Sequence, residues 1–368
     1  MELIIFLIIV FIVVAIEGYV YRRWSVSNIK YDCRFEKDEV SEGDTVIFIE
    51  EITNAKFLPV PWLKSEITTS KWLEFAELQS SVTDKTRFVS SFFMLKSYHR
   101  VVRRWNVKCV KRGVFDIEKV VLVATDLLGS VNVSLPVEIT AKLTVLPVPV
   151  LADKQAISVL QLYGDRTVFR NIVPDNFYHN GIKEYDESNP TQRINWLATA
   201  KRNEIMVFGE EYTSSKSVAL VLNFQSKETD INSLFSENSI EKCIKFCTAV
   251  SCDCFENNIP ISFLCNTKGA DGDTVYIPMN TGAEHNLRLL RTFAGLEFDS
   301  PILFERYLFD IVHFCNTTDI YIVTSYLNSD IISFQENNKN VKLFTLSGKS
   351  DANIINISGL FREEGGAK

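Results

Sequence analysis

The groups best placed to do chemistry lie in one short stretch: Glu184, Tyr185, Asp186 and Glu187, then Arg193, with Trp196 close behind. Neighbouring carboxyl and phenol groups could act as general acid and base, and a guanidinium could hold a carboxylate through two parallel hydrogen bonds. The same residues also suit packing. Arg193 would pair with an acid, and Trp196 would lock a helix against a sheet by its area. We expect packing, because the four histidines, His99, His179, His285 and His313, fall in different elements. One histidine without a placed partner is a weak catalytic group. The chain has no G-x-S-x-G elbow, Walker loop, H-E-x-x-H pair or strand-following G-x-G-x-x-G. The expectation is a protein that is not an enzyme, with a hydrolase built on Tyr185, Asp186 and Glu187 as a rival.

Cysteine is the other reactive type. Cys243, Cys247, Cys252 and Cys254 come close together, but they lack the paired C-x2-C knuckles of structural zinc sites. Cys243, Cys247 and Cys254 share helical register with Ile240, Ile244 and Val250, so a buried apolar stripe accounts for them. Cys33, Cys109, Cys265 and Cys315 are scattered, which is unlike a disulfide framework and reads as reduced thiols.

The chain that must position these groups has 368 residues, enough for two or three domains of about 100–200 residues each. Its 39 basic and 46 acidic residues give a net charge of −7, without the concentrated Lys and Arg of a nucleic-acid binder. Leu3 to Ile16 is unbroken apolar sequence, continued past Glu17 to Tyr21. The run reaches the roughly 20 residues of a membrane span if Glu17 lies near the headgroups and Tyr19, Tyr21 and Trp24 form an interfacial belt. The start is acidic and no A-x-A cleavage site follows, so a retained anchor is expected over a cleaved signal peptide. Arg22, Arg23 and Lys30 come directly after it. By the positive-inside rule the protein is then single-pass in the cell membrane, with its bulk in the cytoplasm.

After the anchor, residues 1–24, the segments TVIFIEEIT, VVRRWNVKCV, KVVLVATD and EITAKLTVLPV alternate with period two. They predict an all-β immunoglobulin-like sandwich over 25–150. Residues 151–212 read as a connector, with Asn189 capping a helix PTQRINWLATAK that has Pro190 at its first position. From 213 to 361 strands such as SVALVLN, IPISFLCN, DTVYIP, DIYIVTSY and a final NVKLFTLS alternate with helices, including one over 237–255. This predicts a doubly wound α/β domain of Rossmann type. Residues 362–368 read as a fraying tail.

Gly181, Tyr185, Asn189, Arg193, Trp196, Ala200 and Arg202, followed by Val207 and Glu210, stand at offsets that resemble a known signature. It belongs to the bacterial family called domain of unknown function 58, in which a Tyr-x-x-Gly-Asp-x-x-Arg-x-Ile-x-Trp core precedes a von Willebrand factor A-like domain. Arg112 to Phe115 and Asp126 to Gly129 resemble that family's preceding sandwich. The resemblance implies a von Willebrand factor A-like fold, a partner-binding surface on the signature residues and a MoxR-type AAA+ ATPase as partner. It further implies a role in assembling or maturing envelope or other protein complexes. Two departures stand out. Ser188-Asn189 replaces the Gly-Asp pair, and the metal-binding Asp-x-Ser-x-Ser of related domains reads Asn223, Gln225 and Lys227, with Thr324-Ser325 where Ser-Asp is expected. Amides in place of carboxylates remove the charge that offsets dehydration of a divalent ion. The expectation is therefore a membrane-anchored protein-interaction module with no metal, cofactor, nucleic acid or small-molecule substrate. Its binding face would lie near the carboxyl ends of the strands. A metal-dependent extracellular adhesion module is the alternative.

Overall fold

A computed structural model describes residues 2–150, 179–185, 194–202, 204–210, 217–225, 237–268, 274–296, 303–314, 319–338, 340–348, 350–351 and 353–361. The apolar start forms α1 (Glu2–Trp24). Among the described residues it is the one helix long and apolar enough to cross a membrane, over Leu3–Trp24 at mean hydropathy 3.0. A leader segment passes the same test of length and composition. From Leu3 to Val13 its apolar side chains are exposed all round, as those of a lipid-covered helix are.

Alternating inward and outward residues then build ten strands: β1 (Ile29–Phe35), β2 (Glu39–Ser41), β3 (Thr45–Asn54), β4 (Val60–Ser70), β5 (Leu73–Phe75), β6 (Gln79–Val82), β7 (Thr86–Leu95), β8 (Arg100–Cys109), β9 (Gly113–Thr125) and β10 (Asn132–Leu146). They pair as two sheets, β1-β3-β8-β5 and β2-β10-β9-β4-β7-β6. Phe48, Leu63, Ile67, Val107, Ile117, Leu122 and Leu143 fill the space between them. A β-sandwich is present after α1, as expected.

Next come β11 (His179–Glu184), α2 (Trp196–Arg202) and β12 (Met206–Glu210), the two strands forming a small antiparallel sheet of their own. The remainder contains β13 (Val218–Leu222), α3 (Glu237–Glu256), β14 (Ile261–Lys268), β15 (Thr274–Asn280), α4 (Ala283–Gly295), α5 (Phe304–Phe314), β16 (Asp319–Thr324), α6 (Ser329–Asn337), β17 (Val341–Thr345) and β18 (Ile354–Asn356). Its sheet order is β15-β14-β13-β16-β17-β18. Phe246, Cys247, Leu289 and Phe293 pack on one face and Phe304, Leu308, Ile311 and Ile331 on the other. Cys243, Cys247 and Cys254 are buried along α3, where their spacing placed them.

The expected fold class is corrected here. Strand outweighs helix across the described residues, and the C-terminal sheet is mixed, because β15 runs antiparallel to β14. Only residues 269–273 separate those strands, far fewer than the dozen or so that a parallel crossover takes. Strand–helix alternation alone does not register such a hairpin. The doubly wound von Willebrand factor A-like domain is accordingly not retained, and this unit is described as a mixed sheet with flanking helices. Two further elements also depart from expectation: α6 lies between β16 and β17, and β18 follows the strand expected to be final.

The sandwich and the C-terminal unit meet at Arg112, in the turn between β8 and β9. Its side chain is buried and donates to the Glu241 carboxylate of α3 and to the Phe293, Ala294 and Leu296 carbonyls at the end of α4. Lys111 with Glu241, Lys245 with Glu42 and Arg291 with Glu39 add ion pairs around it.

Candidate functional site

Every residue of β13 is buried, and burial continues through Asn223, Phe224 and Gln225 at its carboxyl end. Polar groups taken out of water there must find partners in the protein. Asn223 Nδ2 donates to Thr324 Oγ1 at 3.1 Å, while Asn223 Oδ1 accepts from the Gln225 amide at 3.0 Å and from Asn266 Nδ2 at 3.4 Å. Asn266 Oδ1 takes the Phe224 amide at 2.7 Å, and Gln225 Oε1 takes the Phe304 amide at 2.8 Å. Ser325 Oγ donates to the Gln225 carbonyl at 3.0 Å. The carboxyl ends of β13, β14 and β16 are thus stitched to one another and to the start of α5 by amides and hydroxyls.

This arrangement does not fit a divalent cation. The Asn223 and Gln225 side-chain oxygens already accept N–H donors, and among the described residues no carboxylate is one of the groups that bond them. Lys227 lies outside the described residues. Among the described residues no three His, Cys, Asp or Glu side chains are grouped to hold a metal. Burial pushes the thiols of Cys243, Cys254 and Cys265 up to about 12, which leaves them protonated and inert near neutral pH.

The signature residues fall elsewhere. Gly181 is in β11 and Tyr185 follows it, its amide bonded to the Ile205 carbonyl at 2.8 Å. Asp186, Glu187, Ser188, Asn189, Pro190 and Arg193 lie outside the described residues, as do Cys315 and the connector up to 178. The described helix, α2, begins at Trp196; the start expected at Asn189 and Pro190 lies outside the described residues. Ile194 bridges Val207 in extended conformation, and Asn195 Oδ1 accepts the Ala198 amide at 3.1 Å, so Asn195 is the cap of α2. Met206 N donates to Thr199 Oγ1 at 3.0 Å, fastening α2 to β12. Trp196 does not lock this helix to a sheet, because it and Leu197 are each 72% exposed. Ala200 and Arg202 are exposed on the same helix. The histidines stay apart: His99 bonds the Ser97 carbonyl in a loop, His285 is buried against the Ile261 carbonyl, and His179 and His313 sit in β11 and α5.

Asn266 and Thr324 join the network without belonging to any motif in the sequence. Each ends an apolar strand run, and a polar residue at that point in a covered sheet is the available signal.

No family model and no curated sequence matches the chain. Solved structures similar to part of it include the CARDB domain of a Pyrococcus furiosus protein in complex with di-metal ions, 14% identical over 32% of this chain and 91% of that one, at TM-score 0.22. A non-cellulosomal cohesin from Archaeoglobus fulgidus is 11% identical over 36% of this chain and 97% of its own, at TM-score 0.23. Domains D2 and D3 of the major pilin SpaD from Corynebacterium diphtheriae are 9% identical over 30% and 50%, at TM-score 0.23. Likeness at this level says nothing of ligand or partner.

Proposed function

We propose that the chain is a membrane-anchored interaction module without catalytic activity, which holds its soluble layers at the cytoplasmic face and offers α2 to a protein partner. The observation that carries this reading is the exposure of Trp196 and Leu197 on a helix held at its start by the Asn195 cap and at its middle by the Thr199–Met206 bond. Apolar area left in water forgoes about 25 cal/mol per Å², and tryptophan is prominent among the residues that anchor protein interfaces. The neighbouring Lys201 and Arg202 add a basic rim. Arg22 and Arg23 directly after the apolar run support the inward orientation.

The signature resemblance at Gly181, Tyr185, Trp196, Ala200 and Arg202 supplies the specific partner, a MoxR-type AAA+ ATPase, and the role in assembling or maturing protein complexes. Both belong to the proposal. The amide-and-hydroxyl network at Asn223 and Gln225 weighs against the alternative of metal-dependent adhesion.

The test uses the full chain in nanodiscs with a purified MoxR-type ATPase, with and without ATP. Binding should weaken at least tenfold in Trp196→Ala/Leu197→Ala, about 1.4 kcal/mol or more, while the fold is kept. Absence of binding by the unaltered chain in both nucleotide states overturns the ATPase assignment.

A further inference from the structure

The loops at one end of the sandwich are built around α1. Tyr21 Oη donates to the Pro59 carbonyl at 3.2 Å, and Lys56 Nζ donates to the Ser25 and Ser27 carbonyls at 2.7 Å each. A Cβ placed on Gly18 would stand 3.4 Å from Val131 Cγ2. Residues 56–59 and 126–131 therefore flank the helix at the level of Gly18 to Ser27. At a rise of about 1.5 Å per residue, Leu3 to Tyr21 spans about 27 Å, close to the hydrocarbon thickness of about 30 Å. If α1 crosses the bilayer, these loops lie at its surface.

Their tips carry large side chains that are mostly exposed. Phe57 is 79% exposed, Tyr98 69%, Leu127 61% and Leu128 59%. The loops are nonetheless ordered from within. The Asp126 carboxylate accepts the Ser130 amide at 2.7 Å, the Ser130 hydroxyl at 2.6 Å and the Val131 amide at 3.1 Å, with Gly129 at φ 71 completing the turn. Asn54 Nδ2 ties the Leu58 and Lys96 carbonyls at 3.0 Å each, and the Tyr98 amide reaches the Lys56 carbonyl at 3.2 Å. Order of this kind with apolar residues left at the tips marks a contact surface.

We infer that Phe57, Tyr98, Leu127 and Leu128 insert into the interfacial layer of the phospholipid bilayer around α1, a second membrane contact that fixes the sandwich upright on its anchor. Aromatic and aliphatic side chains partition into this layer, and Arg22 and Arg23 beside them suit anionic headgroups. The inference rests on α1 being retained in the membrane.

The test places a nitroxide on the full chain in phosphatidylethanolamine–phosphatidylglycerol vesicles, at Phe57→Cys, Leu127→Cys, Asp84→Cys or Val10→Cys, with the signal of the parent's own thiols subtracted. Asp84 is exposed at the opposite end of the sandwich, before β7, and Val10 reports the span itself. The ratio of oxygen to nickel-chelate collision should be several-fold higher at 57 and 127 than at 84. Water-like ratios at 57 and 127 with a lipid-like ratio at 10 overturn the second contact alone. Water-like ratios at all four positions overturn the anchor as well.

Discussion

Arg112 Nε donates to Glu241 Oε2 at 2.9 Å while its Nη1 donates to the Phe293 carbonyl at 2.6 Å. One guanidinium from the sandwich thereby pairs with an acid on α3 and caps α4, where its charge also opposes the negative end of the helix dipole. The fork geometry of arginine makes this double role possible, and lysine cannot reproduce it.

Removing one partner of a buried pair strands the other, at a cost of about 3–5 kcal/mol. Arg112→Ala should lose stability on that scale and Arg112→Lys should recover only part of it. Because Arg112 is the centre of the contact between the soluble parts, urea unfolding followed by tryptophan fluorescence should change from one transition to two. A single, unshifted transition would show that the contact contributes little.

Inside the sandwich, the fully buried Glu50 accepts from Tyr31 Oη at 2.8 Å, Ser65 Oγ at 2.7 Å, Ser91 Oγ at 2.9 Å and Trp105 Nε1 at 2.7 Å. Glu50→Ala leaves the Tyr31, Ser65 and Trp105 donors without this acceptor, and with unsatisfied buried groups costing about 1–3 kcal/mol each the variant should be severely destabilised in thermal melts. Glu50→Gln keeps the shape but aims an N–H₂ at donors, so it should fall between the two.

Burial first, and then the neighbouring Glu50 charge, push the Tyr31 phenol up from its ordinary 10.0. A raised folded value means that stability is fully present below pH 10 and declines as alkali deprotonates the unfolded chain first. Tyr31→Phe should remove one proton's worth of that alkaline slope. An identical slope in both proteins would contradict the burial of this phenol.

Lys56 shifts the other way, since burial draws its ammonium down from 10.5 to about 8. The unfolded chain binds more protons between those values, so this group's contribution to stability rises with pH across the window, by less than the roughly 3 kcal/mol the full difference would give, because solvent screens part of it. Measured against Lys56→Gln, the wild type should gain relative stability from pH 8 to 10.5. A flat difference would mean that the Ser25 and Ser27 carbonyls compensate the buried charge.

The period-two strands were legible because each buries one face, as Val46, Phe48 and Ile52 do in β3. The stripe of Cys243, Cys247 and Cys254 was legible for the corresponding helical reason. The direction of β15 was not, because strand periodicity carries no sign of parallel or antiparallel pairing. Nor was β18, whose three residues, Ile354 to Asn356, are too few for a period to register. Trp196 illustrates a different limit: its type announces a large contact area, but only the folded chain tells whether the protein itself supplies the other side. The α1-facing loops share that limit, since Phe57 and Leu127 look like core residues until the turns around them are drawn.

The central claim, a soluble body held at the inner face of the membrane by a retained N-terminal helix, is tested most directly by side-specific labelling. Asp84→Cys in the full chain would be exposed to a membrane-impermeant maleimide in intact cells and in permeabilised cells, over the background of the parent's thiols, and the labelled protein weighed intact. Labelling should appear only after permeabilisation, on a chain that still carries residues 1–24. Labelling of intact cells, or a mature chain that begins beyond Trp24, would contradict it.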